Sequence, residues 1–232
     1  MGYTLNGVES DGIPMHIIKP LIDNHDIPFF CETGTAGGHS AMLAASYFKK
    51  IWTIELLEDS PQIDNVPDNI EFLIGDSVKI LPDIVQELIK LKGSKKRQFV
   101  LFYLDAHYCG DVPNESEYPE CPVLEEIKEV AKYGEDALVI IDDARLFFGS
   151  PPYPHDSTQW PSICEIFHLL RKCFPFHKIT ITDDYVLAMS IHVMQTIDNE
   201  WRSRFSIRYP NAEDKLKSQA QDVYKALIDY LK

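Results

Sequence analysis

An excess of positive charge is the first thing this sequence does not have. Lysine and arginine total 22 against 36 aspartates and glutamates, a net charge of −14, and the pI is about 4.9. Such a chain repels a phosphate backbone, so nucleic acid is not an expected partner. The one tight basic run, Lys95-Lys96-Arg97, reads as a solvated loop. Long apolar stretches are missing as well. None approaches the roughly 18–20 residues that would span a bilayer, and no basic segment followed by an apolar one opens the chain. The expectation is no membrane association and a cytoplasmic location. The five cysteines (31, 109, 121, 164 and 173) are odd in number and show no CxxC spacing. That pattern fits reduced thiols and excludes both a disulfide framework and a zinc site. Internal repeats and low-complexity linkers are absent too, and 232 residues suit one domain burying roughly 70–75% of its unfolded surface.

What the chain does have is a glycine-rich turn in a telling place. Phe29-Phe30-Cys31-Glu32-Thr33-Gly34-Thr35-Ala36-Gly37-Gly38-His39-Ser40 runs from an apolar strand through an acid into three glycines, and a helical pattern follows directly. Glycines there permit positive φ and let a ligand approach bare main chain. Several nucleotide-binding folds share that pattern, so its meaning depends on the residues downstream.

Downstream, strands and helices alternate. Phe29–Glu32, Ile51–Glu55, Ile70–Ile74, Phe99–Leu104 and Ala137–Ile141 read as strands. The fourth and fifth are uniformly apolar, as central parallel strands buried on both faces should be. Helical spacing is expected over Gly38–Lys49, from Pro82 at a first helical position, over Val123–Tyr133 and over Pro161–Cys173. His177–Thr182 and Tyr185–Ile191 are separated by Asp183-Asp184 alone, which permits a hairpin and no parallel crossover. Residues 1–28 form a lead-in whose short amphipathic piece, Met15 to Leu21, breaks near Pro20 and is placed to cover the sheet edge or the mouth of a site. Residues 29–191 are the core and 192–232 a helical extension, with an amphipathic helix over Ala212–Lys232 able to pack on the sheet or to make a homodimer contact. Repeated βα units imply an α/β, doubly wound, mostly parallel sheet with a closing antiparallel hairpin, and ligands of such sheets bind at the carboxyl ends of the strands.

Acids stand at five of those ends: Glu32, Glu55, Asp76, Asp105 and the pair Asp142-Asp143. Glu55 lies 21 residues after Gly34, a spacing suited to accepting hydrogen bonds from the two hydroxyls of a ribose. Each acid alone has a plainer reading as an exposed strand terminus; five in register on one edge are harder to explain that way.

On these residues the sequence resembles the class I S-adenosylmethionine-dependent methyltransferases over about residues 29–191. Glu32 to Gly38 looks like their first motif, with Ala36 where many members carry glycine. Glu55 matches the ribose-binding acid, Gly75-Asp76-Ser77 the adenine station, and Leu104-Asp105-Ala106-His107 the motif that faces the methyl group. The resemblance implies a seven-stranded Rossmann-like sheet and cofactor contacts from Glu32, Gly34, Thr35, Gly37, Gly38, Ser40, Glu55, Asp76, Ser77 and Asp105, with Glu32 near the methionine amino group. Within that superfamily, Asp105 with Asp142-Asp143 is similar to the metal site of O-methyltransferases acting on catechols and antibiotic sugars. Three carboxylates suit Mg²⁺ or Mn²⁺ rather than zinc, and a cation would lower the pKa of an acceptor hydroxyl. Asp105 or His107 would then take the proton. The implied acceptor is a small molecule or glycan with a free hydroxyl, for example a deoxysugar such as rhamnose.

Two long loops leave the same edge. Tyr108–Pro122 carries Asp111, Glu115, Glu117, Tyr118 and Glu120; Arg145–Trp160 carries Phe147, Phe148, Tyr153, His155 and Trp160. Loops of about 15 residues usually serve binding, although their aromatics would equally pack the loops onto the domain. Two other readings stand beside the transferase: a NAD-dependent oxidoreductase, since an acid after the second strand also suits that cofactor, and a non-catalytic subunit of the same fold that binds a partner.

Overall fold

The computed structural model describes residues 12–57, 65–94, 97–110, 114, 117–149 and 151–208, the side chains as far as residue 203. Its elements follow the order α1 (Met15–Asn24), β1 (Phe29–Thr33), α2 (His39–Ala44), β2 (Lys50–Glu55), β3 (Ile70–Ile74), α3 (Ser77–Lys92), β4 (Val100–Leu104), α4 (Val123–Val130), β5 (Ala137–Ile141), α5 (Ile163–Cys173), β6 (His177–Thr182), β7 (Tyr185–Ser190) and α6 (Ile191–Arg208).

The seven strands form one sheet in the order β3-β2-β1-β4-β5-β7-β6. All neighbours are parallel except β7, which runs antiparallel to both β5 and β6. This is the doubly wound sheet with a closing hairpin that the sequence implied. Side chains alternate between its faces at the strand period of two. Cys31, Trp52, Phe102, Val139 and Val186 pack under α3, α4 and α5; Phe30, Ile51, Tyr103, Ile140 and Leu187 pack under α1, α2 and α6. Strand order reverses between β1 and β4, and there Thr33 pairs with Leu104, which pairs with Ile141. One residue further on, Asp105 N–H donates to Thr33 O and Asp142 N–H to Leu104 O, each at 3.1 Å. That register brings the residues following β1, β4 and β5 together at one edge.

Several boundaries differ from expectation, for local reasons. Helix α2 ends at Ala44, not at Lys49: a tightened turn follows, with Tyr47 N–H bonded to Ala44 O at 2.9 Å, and buried Phe48 closes it. Pro82 does not open α3. Asp76 does, its side chain capping Val78 N–H at 3.0 Å, and Pro82 lies inside a helix whose Leu81, Ile84, Val85 and Leu88 are buried. Pro20 likewise sits inside α1, which continues to Asn24; Asn24 Nδ2 donates back to Pro20 O at 2.8 Å. Tertiary burial of the apolar stripe outweighs the proline penalty in both. The tail of the helix expected to Tyr133 tightens into a 3-10 turn over Ala131–Tyr133, and Ser162 caps α5 in a capping box with Glu165. Helix α6 packs Val193, Met194 and Ile197 beside α1. The helix expected over Ala212–Lys232 lies outside the described residues. Among the described residues no helix is long and apolar enough to cross a membrane.

Helix α1 starts at the ligand edge, where His16 Nε2 lies 2.8 Å from Asp183 Oδ2 in the β6–β7 turn. Helix α1 therefore lies over one face of the sheet with its first turn at that edge.

Candidate functional site

The turn after β1 is bound first by its own backbone. Gly34 and Thr35 N–H both donate to Ile54 O, at 2.9 and 3.2 Å. Gly34 has φ +82°, and a Cβ there would lie 2.3 Å from Asp105 O. Gly34 is thus required where the main chain just past β4 comes close. Gly38 holds φ +72° at the N-cap of α2. At Gly37 a Cβ would meet only the His39 ring, 2.8 Å away. Thr35 turns inward, its hydroxyl 2.6 Å from Thr53 Oγ1. Ser40 is half-buried, and its Oγ would stand 3.0 Å from a Cβ on Gly12.

Glu32 is fully buried. Its Oε1 accepts from Thr53 Oγ1 at 2.6 Å, while Oε2 has no hydrogen-bond partner. Burial raises its pKa to about 8, against the lowering effect of Thr53. An orphaned carboxyl oxygen in such a place fits a ligand that brings a donor or a positive charge, such as an amino acid ammonium. Glu55, partly exposed at the end of β2, accepts from Ala36 N–H at 2.9 Å and from Leu57 N–H at 3.3 Å. Both of its oxygens currently hold the loops on either side. Asp76 caps α3 and pairs with Lys79, and Ser77 points inward, donating to Glu126 Oε1 at 2.5 Å.

Glu126 was not singled out from the sequence. It lies on the inner side of the first turn of α4, is 1% exposed, and is pushed by burial up to about 7 against hydrogen bonds from Ser77 and Thr33. A legible signal existed: an acid at 126 falls on the apolar stripe of Val123, Ile127 and Val130.

The structure brings Asp105, His107, Asp142 and Asp143 together. The imidazole of His107 is almost covered and sits between two carboxylates, Nε2 3.0 Å from Asp143 Oδ2 and Nδ1 3.4 Å from Asp105 Oδ1. Asp143, at φ +54°, also pairs through Oδ1 with Arg145. Burial pushes its carboxyl up, but His107 and Arg145 outweigh that and hold it below the usual carboxylate range. Asp142 accepts from Tyr103 O–H through Oδ2 and from Asp143 N–H through Oδ1, at 2.7 Å for the latter; burial, then Asp143, still raises it. Asp105 is raised well above its ordinary value by burial, then by Asp142, Asp143, Glu32 and Glu126. Arg145 further reaches Asp184 in the hairpin turn. It has the bland position of a loop residue, and neither it nor Tyr103 was legible as part of the site.

This arrangement does not fit the expected cation. Both oxygens of Asp142 accept hydrogen bonds, Asp143 is engaged through Oδ2 by His107 and through Oδ1 by Arg145, and no group of three or more His, Cys, Asp or Glu is arranged to hold a metal ion among the described residues.

The two long loops are sewn to each other at Glu120, and their aromatics divide. Phe147 and Trp160 are buried beside His107, whereas Phe148 and Tyr153 are 62% and 84% exposed. Asp111 and Glu115 lie outside the described residues.

No protein-family model matches this sequence, and no curated protein matches it. Among solved structures the chain is similar to a SAM-dependent methyltransferase from Anabaena variabilis ATCC 29413, at 10% identity and TM-score 0.40 over 80% of this chain and 98% of that one. It is similar to the N-methyltransferase NodS from Bradyrhizobium japonicum, at 13% identity and TM-score 0.42 over 75% and 90%. A third is an rRNA methylase from Streptococcus thermophilus, at 12% identity and TM-score 0.39 over 78% and 96%. Similarity at this level fixes neither a cofactor nor an acceptor.

Proposed function

We propose that this protein is an S-adenosylmethionine-dependent O-methyltransferase acting on a hydroxyl of a sugar, a glycan or another small molecule. The observation that carries the reading is the His107 imidazole held between Asp105 and Asp143 just past β4, beside the reversal of strand order where open α/β sheets take their ligands.

The residues divide the work by their surroundings. Glu32 has an oxygen in need of a donor and would receive the cofactor's ammonium; Glu55, at the end of β2, would receive its ribose. When bound, S-adenosylmethionine supplies a sulfonium-activated methyl group. Asp105 is the more exposed of the two carboxylates flanking His107 and is more basic than an ordinary aspartate. It would take the acceptor's hydroxyl proton as that oxygen accepts the methyl group. His107, oriented by Asp143, stands beside Asp105 to carry that proton away. Phe148 and Tyr153 offer exposed aromatic faces for the C–H face of a sugar or for a phenolic ring, and the acidic edge disfavours a polyanionic acceptor.

The test is methyl transfer from labelled cofactor to a panel of hydroxylated sugars and phenols, alongside thermal stabilisation by S-adenosylhomocysteine and by NAD. Transfer to oxygen with stabilisation by S-adenosylhomocysteine is the expected result. Stabilisation by NAD alone would replace the reading with an oxidoreductase.

A further inference from the structure

We propose that Glu120 and Trp160 are positioning residues that lock the His107 imidazole between Asp105 and Asp143. The inference rests on the transfer reading for its effect on rate, but on geometry alone for its effect on the ring.

Glu120 is only 2% exposed, a rare state for an acid. Its Oε2 accepts the Trp160 indole N–H at 2.7 Å, and both its oxygens accept Asp156 N–H, at 3.1 and 3.2 Å. His155 Nδ1 lies 3.4 Å from Oε2. The Glu120 backbone N–H donates to Gln159 Oε1 at 3.0 Å, and the Glu120 carbonyl accepts from Tyr108 N–H at 2.7 Å. One residue of the loop after β4 therefore fixes the end of the loop after β5. An ionised carboxylate is acceptor-only and suits a site ringed by donors; an amide would turn an NH₂ against one of them.

What that staple holds in place is the indole. The Trp160 ring centroid is 5.4 Å from that of His107, 6.0 Å from Phe147 and 5.3 Å from His155. The imidazole is thereby bounded on two edges by carboxylates and on one side by a buried indole, so it cannot swing toward that side without displacing Trp160. The charged groups around it are Asp105 and Asp143 in contact, with Asp142 and Glu126 behind them. A merely structural staple would stabilise the loops and leave the ring of His107 as it is.

The experiment uses the full chain carrying Trp160→Phe or Glu120→Gln. It reads steady-state kinetics together with the imidazole ¹⁵N signals of His107, assigned by their loss in His107→Asn. The expectation is shifted His107 signals in both variants, with kcat lowered roughly tenfold to a hundredfold and acceptor KM little changed. Unshifted signals in a folded variant overturn the proposal. If Glu120→Gln does not fold, Trp160→Phe decides alone, since it keeps an aromatic ring and loses only the N–H and part of the stack. Shifted signals in a protein with no methyl-transfer activity keep the positioning and overturn the transfer reading instead.

Discussion

Thr53 donates its hydroxyl to one oxygen of Glu32 at 2.6 Å, and the other oxygen of that carboxyl is buried with no donor. This half-satisfied acid has a pKa of about 8 in the folded chain, against an unfolded value near 4.5. Between those values the folded state holds more protons than the unfolded state, so stability falls as pH rises. Glu126, raised to about 7, acts in the same direction. The lowered Asp143 acts oppositely, but only below about pH 4, outside this window. Burial also lowers His25 and His177, which oppose this slope below about pH 6.5, so the loss driven by Glu32 and Glu126, on the order of a few kcal/mol, should fall mainly between about pH 6.5 and pH 8. Urea unfolding across that range checks it, with Glu32→Gln as comparison. An equally steep slope in Glu32→Gln would assign the effect elsewhere.

A ligand ammonium beside Glu32 would reverse this penalty by favouring the ionised form. Binding of S-adenosylhomocysteine near pH 7 should then release protons from the protein. Calorimetry in buffers of different ionisation enthalpy reads that release directly. It should vanish in Glu32→Gln, and proton-neutral binding by the unaltered protein would remove Glu32 from the ammonium's vicinity.

Much of this was legible in the chain, because the strands are short apolar runs and the acids fall at their ends by sequence count. Harder to read was what each acid faces. Nothing in the order of residues says that Asp105 O would lie so close to Gly34, that Ser77 would turn toward Glu126, or that His107 and Arg145 would both engage Asp143. Those are contacts between elements far apart in sequence. Pro20 and Pro82 misled for a related reason: local propensity argued for a break at the first and a helix start at the second, while burial of Ile17, Ile18 and Leu21, and of Leu81, Ile84 and Val85, overrode it.

The expected cation finds no prepared site among the described residues. With Asp142 and Asp143 already engaged, methyl transfer should proceed at full rate in EDTA, and Mg²⁺ or Mn²⁺ should add little. His107→Asn, by contrast, should lower kcat by roughly 10²–10⁴-fold, with Asp143→Asn falling in the same direction through loss of the ring's orientation. Abolition of transfer by EDTA and its restoration by Mg²⁺ would show that the carboxylates rearrange around a metal, and the base assignment would fall with it.

Two of the three glycines of the β1 turn, Gly34 and Gly37, separate packing from ligand access. At Gly34 an added Cβ would have to enter the backbone of Asp105, 2.3 Å from its carbonyl oxygen, at a φ of +82°. Neither the strand end nor the dihedral can give, because Asp105 N–H is itself bonded to Thr33 O. Gly34→Ala should cost at least about 2 kcal/mol, a fall in melting temperature of roughly 5 °C or more for a chain of this size. At Gly37 the obstacle is the far end of the His39 side chain, which can rotate. Gly37→Ala should stay within about 1 kcal/mol of the parent. If Gly37 nonetheless admits a ligand to the main chain, its alanine variant should weaken S-adenosylhomocysteine binding while melting normally, whereas Gly34→Ala should melt early. Equal melting of the two variants would mean that the close approach of β1 and β4 does not govern this turn.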